Sequence, residues 1–291
     1  PGLAKTTLVR VISSRLGLEF GRIQFTPDLL PTDITGSEIL QFDSKSQERS
    51  FKFCRGPIFV NLLLADEVNR ASPRTQSAML EAMQEKRVTI SGESYHLPSN
   101  FMVFATQNPY EFEGTFPLPE AQLDRFLLHS LIDYPSADAE KKIIEEHIKN
   151  KLVGESSAVH SEVVVSKDVL DGMLSHVESV KIPDPLVQVI MDVTASTRES
   201  SSLLPKKYKE EVRFGAGPRA SISLVSAGRA LAFLEGEHEV RWRHIERMAL
   251  PVLRHRVRLK HSMGQSSEVE DQFVRDCLKS VKDKYVKIIK D

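Results

Sequence analysis

Phe59-Val60-Asn61-Leu62-Leu63-Leu64-Ala65-Asp66-Glu67-Val68-Asn69-Arg70 is a nearly unbroken apolar run that ends in two adjacent carboxylates. Such a run reads as a strand buried on both faces, as in a parallel sheet covered by helices. Open α/β sheets bind their ligands outside the carboxyl ends of strands, so Asp66 and Glu67 are expected at a crevice. Working outward, Lys5 to Leu16 has the apolar spacing of an amphipathic helix, with Gly17 as its C-cap. Phe20 to Phe25 and Phe101 to Thr106 read as further strands, and Leu127 to Ile132 as a third. Ser72 followed by Pro73 marks a helix start. Strands alternating with helices give an α/β layer fold.

Residues 26–57, mixed and polar, read as a loop or small insertion, and residues 88–97 as a hairpin around a Gly-containing turn. A short helix is expected from Pro119 to Phe126. After Tyr134-Pro135 helical patterns dominate: one capped by Ser136, one from Asp184-Pro185, one from Pro218 to Gly236, then Trp242 to Val257 with Pro251 inside, and Glu268 to Ile289. The division read from this pattern is an α/β core over 1–135 and a helical domain over 136–291.

The 291 residues suffice for a sizeable core, and 41% hydrophobic with 27% charged residues is ordinary for a soluble globular chain. A formal net charge of -1 gives no global pull toward nucleic acid. No apolar run approaches the roughly 20 residues of a membrane span. Cys54 and Cys277, far apart, give no disulfide framework, and a reducing, cytoplasmic setting is the simplest expectation.

The chemistry-bearing residues lie in a telling order. Pro1-Gly2-Leu3-Ala4-Lys5-Thr6-Thr7-Leu8 reads as the tail of a phosphate-binding loop whose leading Gly and preceding strand would lie before Pro1. Amides at a helix N-terminus hold phosphate oxygens, Lys5 adds positive charge, and the Thr6 hydroxyl can ligate Mg²⁺. Asp66 at a strand end can hold Mg²⁺ through water, and Glu67 can polarise a water for attack on a γ-phosphate. Asn108, after the next strand, can orient that water. Arg125 offers a cation that stabilises phosphoryl transfer when supplied across a subunit boundary. The basic run Arg254-His255-Arg256-Val257-Arg258-Leu259-Lys260-His261 suggests nucleic-acid contact or, alternatively, a lid helix packed on acidic neighbours. The nine histidines show no paired metal-ligand spacing.

The stretch from Gly56-Pro57-Ile58-Phe59 through Asp66-Glu67-Val68-Asn69-Arg70-Ala71-Ser72-Pro73-Arg74-Thr75-Gln76 to Met83 closely resembles the MoxR family of AAA+ ATPases. So do Ala105-Thr106-Gln107-Asn108-Pro109, Pro117-Leu118-Pro119-Glu120-Ala121-Gln122-Leu123-Asp124-Arg125-Phe126, Gly217-Pro218-Arg219-Ala220 and Val252-Leu253-Arg254-His255-Arg256. The family has Ser where Gly217 stands, and the phosphate loop usually has Gly where Ala4 stands. The resemblance implies an AAA+ P-loop core with a parallel sheet and a smaller helical lid, with ATP or ADP bound between them with Mg²⁺. It implies a phosphate loop of Gly2, Leu3, Ala4, Lys5, Thr6 and Thr7, metal ligation by Thr6 and Asp66, and catalysis by Glu67. It makes Asn108 the first sensor, Arg125 the finger acting on a neighbour's nucleotide, with Arg70 and Arg74 as alternatives, and Arg219 the second sensor. It further implies a homo-oligomeric ring, a hexamer, that remodels or matures client proteins, with von Willebrand factor A domains among its partners. Residues 26–57 and 88–97 stand where this clade carries insertions into the core. The rival readings are a nucleotide-controlled scaffold with little turnover and a DNA-stimulated motor.

Overall fold

The computed structural model describes residues 5–42, 49–107, 114–153, 163–260 and 268–287. The chain packs as two units, one from Pro1–Pro117 with Leu131–Asp171, the other from Leu118–Ser130 with Gly172–Asp291. The boundary read from sequence at 135/136 falls inside the first unit.

In the first unit α1 (Lys5–Arg15) is followed by Gly17 at φ 58. The Leu18 amide donates to Ser13 O at 2.9 Å and the Gly17 amide to Ser14 O at 3.3 Å, which closes the helix in a Schellman arrangement. Next come β1 (Phe20–Gln24), α2 (Pro31–Thr35), β2 (Gly36–Phe42), β3 (Arg49–Arg55) and β4 (Leu62–Asp66). They are followed by α3 (Pro73–Glu85), β5 (Arg87–Ile90), β6 (Glu93–His96) and β7 (Met102–Ala105). The apolar run is the centre of a parallel sheet ordered β1-β4-β7, with Gln24 paired to Asp66 and Ala65 to Ala105. Leu62 to Ala65 are buried on both faces, as the unbroken hydrophobic pattern requires. Ser72 caps α3, its hydroxyl accepting from the Thr75 amide at 3.3 Å. The 88–97 hairpin forms as β5 and β6 around Ser91 and Gly92, both at positive φ, the backbone of a tight primed turn.

One reading is sharpened and one needs correction. Residues 26–57 carry more order than a loop: β2 and β3 form an antiparallel hairpin from Gly36–Arg55 to Phe42–Arg49, anchored by buried Ile34 and Ile58. A Cβ on Gly36 would lie 2.2 Å from Cys54 O, and one on Gly56 2.3 Å from Ile34 O, so two glycines are needed where the hairpin starts. Its polar composition masked the alternation of Phe51 and Phe53. Leu127 to Ile132, in turn, is irregular rather than a strand. The Leu127 and His129 carbonyls accept instead from the side chains of Arg256 and Arg254, so no neighbouring strand satisfies them.

The second unit holds α4 (Glu120–Leu123); α5 (Ala137–Val153), started by Ser136, belongs to the first, and α6 (Lys167–Ser179) contains the division between the two. α7 (Asp184–Ala195), β8 (Val212–Phe214), α8 (Pro218–Leu234), α9 (Trp242–Leu253), β9 (Arg258–Leu259) and α10 (Glu268–Lys284) complete the chain. The unit is helical as expected, with one short antiparallel pair, β8 with β9, that the sequence reading did not include. Val193, Leu224, Ile245 and Phe273, fully buried, knit α7 to α10 into one core. Cys54 and Cys277 are free. Among the described residues no helix is long and apolar enough to cross a membrane.

Candidate active site

The two carboxylates at the end of β4 meet different partners. Asp66 accepts on Oδ1 from the Thr106 hydroxyl at 2.5 Å and on Oδ2 from Arg22 Nη2 at 2.8 Å. Arg22 comes from β1, the neighbouring strand, and lies two residues before Gln24, so both project from the same side of the sheet. Glu67 has turned out of the strand: its backbone is left-handed, φ 57 and ψ 47, a conformation that costs a side-chain-bearing residue of order 1–3 kcal/mol. Its Oε2 accepts from Gln24 Nε2 at 2.8 Å and pairs with Arg70 Nε at 3.0 Å. The Glu67 amide donates to Thr106 Oγ1 at 2.9 Å, so a single hydroxyl receives from one acidic residue and donates to the other. Backbone bonds from Thr106 N to Ala65 O and from Val68 N to Thr106 O lock the two strand ends side by side.

Burial alone would raise the Asp66 pKa. The Thr106 hydroxyl, Arg22 and, at longer range, the positive charge of Lys5 outweigh it and hold the carboxyl below its ordinary value. Asp66 is thus an ionised, oxygen-only donor at neutral pH. Lys5 acts on this group from the first residue of α1, and Thr6 follows it on the same helix. Of the residues expected at one site, Asp66 and Glu67 thus stand side by side at the end of β4, with Lys5 acting on Asp66. Arg22, Gln24 and Thr106, which contact this carboxylate pair, were not singled out from the sequence. The alternation of Arg22 and Gln24 along a strand beside the apolar run was the signal that could have found them.

Gly2, Leu3, Ala4 and Asn108 lie outside the described residues. Thr7 is exposed on the first turn of α1. Arg70, an alternative finger, pairs with Glu67 of its own chain, and Arg74 is exposed on α3. In the second unit, Arg125 follows α4 with an exposed side chain, and among the described residues it has no side-chain hydrogen bond or ion pair. Arg219, second residue of α8, places Nη1 3.6 Å from Asp124 Oδ2.

Arg254, His255 and Arg256, the start of the basic run, resolve toward packing, and His261 at its end lies outside the described residues. Arg254 makes a bidentate pair with Asp271, both distances 2.7 Å, and Arg256 donates from Nε to Asp124 Oδ1 at 2.8 Å. Arg254, His255 and Arg256 are only 7%, 3% and 8% exposed, so their donors are spent inside the fold rather than offered to phosphates. One further cluster, Glu235, Glu237 and His244, brings its ligand atoms within 4.8 Å of one another. Arg241, Arg243 and Arg247 already neutralise those glutamates, which leaves no excess negative charge for a cation.

A family profile described as "ATPase family associated with various cellular activities (AAA)" matches residues 1–128, and one described as "AAA lid domain" matches residues 207–277. Chaperone MoxR1 of Mycobacterium tuberculosis is 40% identical over 275 residues, covering 94% of this chain and 70% of the relative. The uncharacterised protein YeaC of Bacillus subtilis is 39% identical over 282 residues, 97% of this chain and 82% of the relative. A crystal structure of a candidate ATPase from Cytophaga hutchinsonii matches with TM-score 0.82 at 34% identity, over 95% of this chain and 82% of that one. A parallel sheet ending in an Asp-Glu pair, facing a helix that opens on Lys-Thr and followed in the chain by a lid domain, defines an ATPase of the AAA class. Within that class, the chain belongs to the MoxR family of AAA+ ATPases.

Proposed function

We propose that the chain hydrolyses ATP in a Mg²⁺-dependent reaction, as one subunit of a homo-oligomeric ring that remodels or matures client proteins. The observation that carries the reading is the Thr106 hydroxyl joining the Asp66 carboxylate to the Glu67 backbone at the end of β4, with Lys5 acting on the same Asp. The donor set fits the ion: Asp66 is ionised, Thr6 offers a hydroxyl, and hard oxygens suit Mg²⁺. Arg22 on Asp66 Oδ2 shows that this carboxylate takes a cationic partner. When bound, Mg²⁺ would supply charge to the phosphates. In this reading Gly2 to Thr7 cradle the phosphates of ATP or ADP, Glu67 takes a proton from the attacking water, Asn108 orients that water, and Arg219 senses the same subunit's nucleotide. Arg125 acts on the nucleotide of the neighbouring subunit. Its guanidinium, without a partner among the described residues, supports it over Arg70, which is engaged with Glu67.

The working division is a nucleotide-binding core through residue 135 and a lid after it, in a hexamer, within the cytoplasm. The relative named Chaperone MoxR1 supports a chaperone-like role on client proteins, and adaptors with von Willebrand factor A domains are the partners to seek. One observation favours a nearly silent, nucleotide-controlled scaffold instead: Glu67 Oε2 is already held by Gln24 and Arg70. The DNA-stimulated reading keeps little support once Arg254 to Arg256 are buried.

The test is complementation. Arg125→Ala and Glu67→Gln subunits, each inactive alone, should regain ATPase activity when co-assembled. Co-assembled subunits that stay inactive would show that Arg125 does not act across a boundary.

A further inference from the structure

Arg125 is an exposed side chain, without a partner among the described residues, on a turn whose other groups are held firmly, and three consecutive residues after α9 do the holding. Arg256 spreads its fork over the turn: Nε to Asp124 Oδ1 at 2.8 Å, Nη2 to Asp124 O at 3.1 Å and to Phe126 O at 2.7 Å, and Nη1 to Leu127 O at 3.2 Å. His255 Nε2 lies 2.9 Å from the same Phe126 carbonyl, which can only accept, so that nitrogen carries the hydrogen. Arg254, fixed by Asp271, donates from Nη1 to His129 O at 3.1 Å. The backbone closes the contact with His129 N donating to Pro251 O at 2.8 Å. These side chains do for the turn what a neighbouring strand would do elsewhere, and they leave the Arg125 side chain untouched.

The two pairs on the Asp124 carboxylate differ in strength. Arg256 is buried and forked, so its bond to Oδ1 is fixed in direction as well as distance. Arg219 meets Oδ2 at 3.6 Å with half its side chain in solvent, a pair weak enough to exchange for a phosphate. Losing Arg219 to a nucleotide would therefore leave the turn still gripped.

We propose that Arg256, with Asp124 as its acceptor, is a positioning residue for Arg125: it fixes the Asp124–Leu127 turn so that this arginine is presented to a neighbouring subunit's nucleotide. The proposal rests on the reading of Arg125 as a finger acting in trans. A lysine keeps the charge at 256 and loses the fork, which a point cation cannot replace. Arg256→Lys should lower kcat by about 100-fold, the cost of a misplaced catalytic group, with KM for ATP essentially unchanged. Co-assembly then reads where the defect lies. Arg256→Lys subunits have an intact site and a misplaced finger, so they should recover activity with Glu67→Gln subunits and not with Arg125→Ala subunits. Parent-like turnover by Arg256→Lys, or recovery with Arg125→Ala and not with Glu67→Gln, overturns the proposal. Should Arg256→Lys lose its native circular dichroism, Asp124→Asn carries the same pair of co-assemblies, and recovery with neither partner counts against it. The Arg125→Ala with Glu67→Gln control separates the two claims. If the control recovers and the Arg256 pattern fails, positioning is wrong; if the control fails, the trans reading falls and takes the positioning role with it.

Discussion

Thr106 shows what a single hydroxyl does at this site. It receives the Glu67 amide and donates to Asp66, so it orients the residue proposed for water and the residue proposed for metal at once. Thr106→Val keeps the shape and removes both bonds. Hydrogen bonds to charged groups are worth about 1.5–3 kcal/mol, so kcat should fall about tenfold or more. The sign of the pH effect follows from Asp66, whose carboxyl lies below its ordinary value although burial works the other way. Removing the Thr106 donor lets that pKa rise, so the acid limb of the kcat–pH profile should move to higher pH. An acid limb that stays where the parent has it would show that Thr106 does not tune Asp66. The place of Glu67 was legible because an apolar run that stops at two carboxylates marks where a buried strand reaches solvent. Thr106 was not, since a hydroxyl at a strand end looks like any other until the neighbouring strand's register is known. Arg22 and Gln24 were hidden for the same reason, as their role depends on which strand lies next to β4.

At the scale of elements, the errors share a cause: local pattern cannot show which partner satisfies a backbone. Leu127 to Ile132 has strand-like composition, yet its carbonyls are served by guanidinium groups from beyond α9. The composition of the basic run leaves nucleic-acid contact and packing on acidic neighbours both open, and at 254–256 its charges face Asp124 and Asp271, the second of these. The same packing leaves a pH signature. Burial first, and the charge of Arg254 next, pushes the His129 pKa down to about 4; burial and then Arg256 push that of His255 to about 3. Both are neutral in the folded chain at pH values where an unfolded histidine, near 6.5, takes up a proton. The unfolded state therefore binds more protons below that value, so this contribution to stability is complete above pH ~6.5 and is lost as pH falls toward 4. The slope approaches about 1.4 kcal/mol per pH unit for each histidine. Denaturation midpoints measured between pH 7 and 5 should fall less steeply for His255→Gln than for the parent. Equal slopes would mean that His255 titrates normally in the folded chain.

For the whole molecule, the order of strands and helices was readable because the buried strand and the helix starts at Pro73, Asp184 and Pro218 each carry strong local chemistry. The hairpin within 26–57 was not, because its apolar residues are largely exposed: Leu40, Phe42 and Phe51 are 54%, 58% and 70% accessible, so no buried face imposes a clean pattern. The functional reading concentrates on one group, the Glu67 carboxylate, held off the strand by a left-handed backbone and by bonds to Gln24 and Arg70. Replacing it with glutamine keeps size and hydrogen-bonding capacity and removes the base. The direct measurement is steady-state ATP turnover of parent and Glu67→Gln, with nucleotide binding followed in parallel. Glu67→Gln should bind ATP as tightly as the parent and lose at least about 100-fold in kcat, the scale of a missing general base. Equal turnover by the two proteins would mean that Glu67 is not the base.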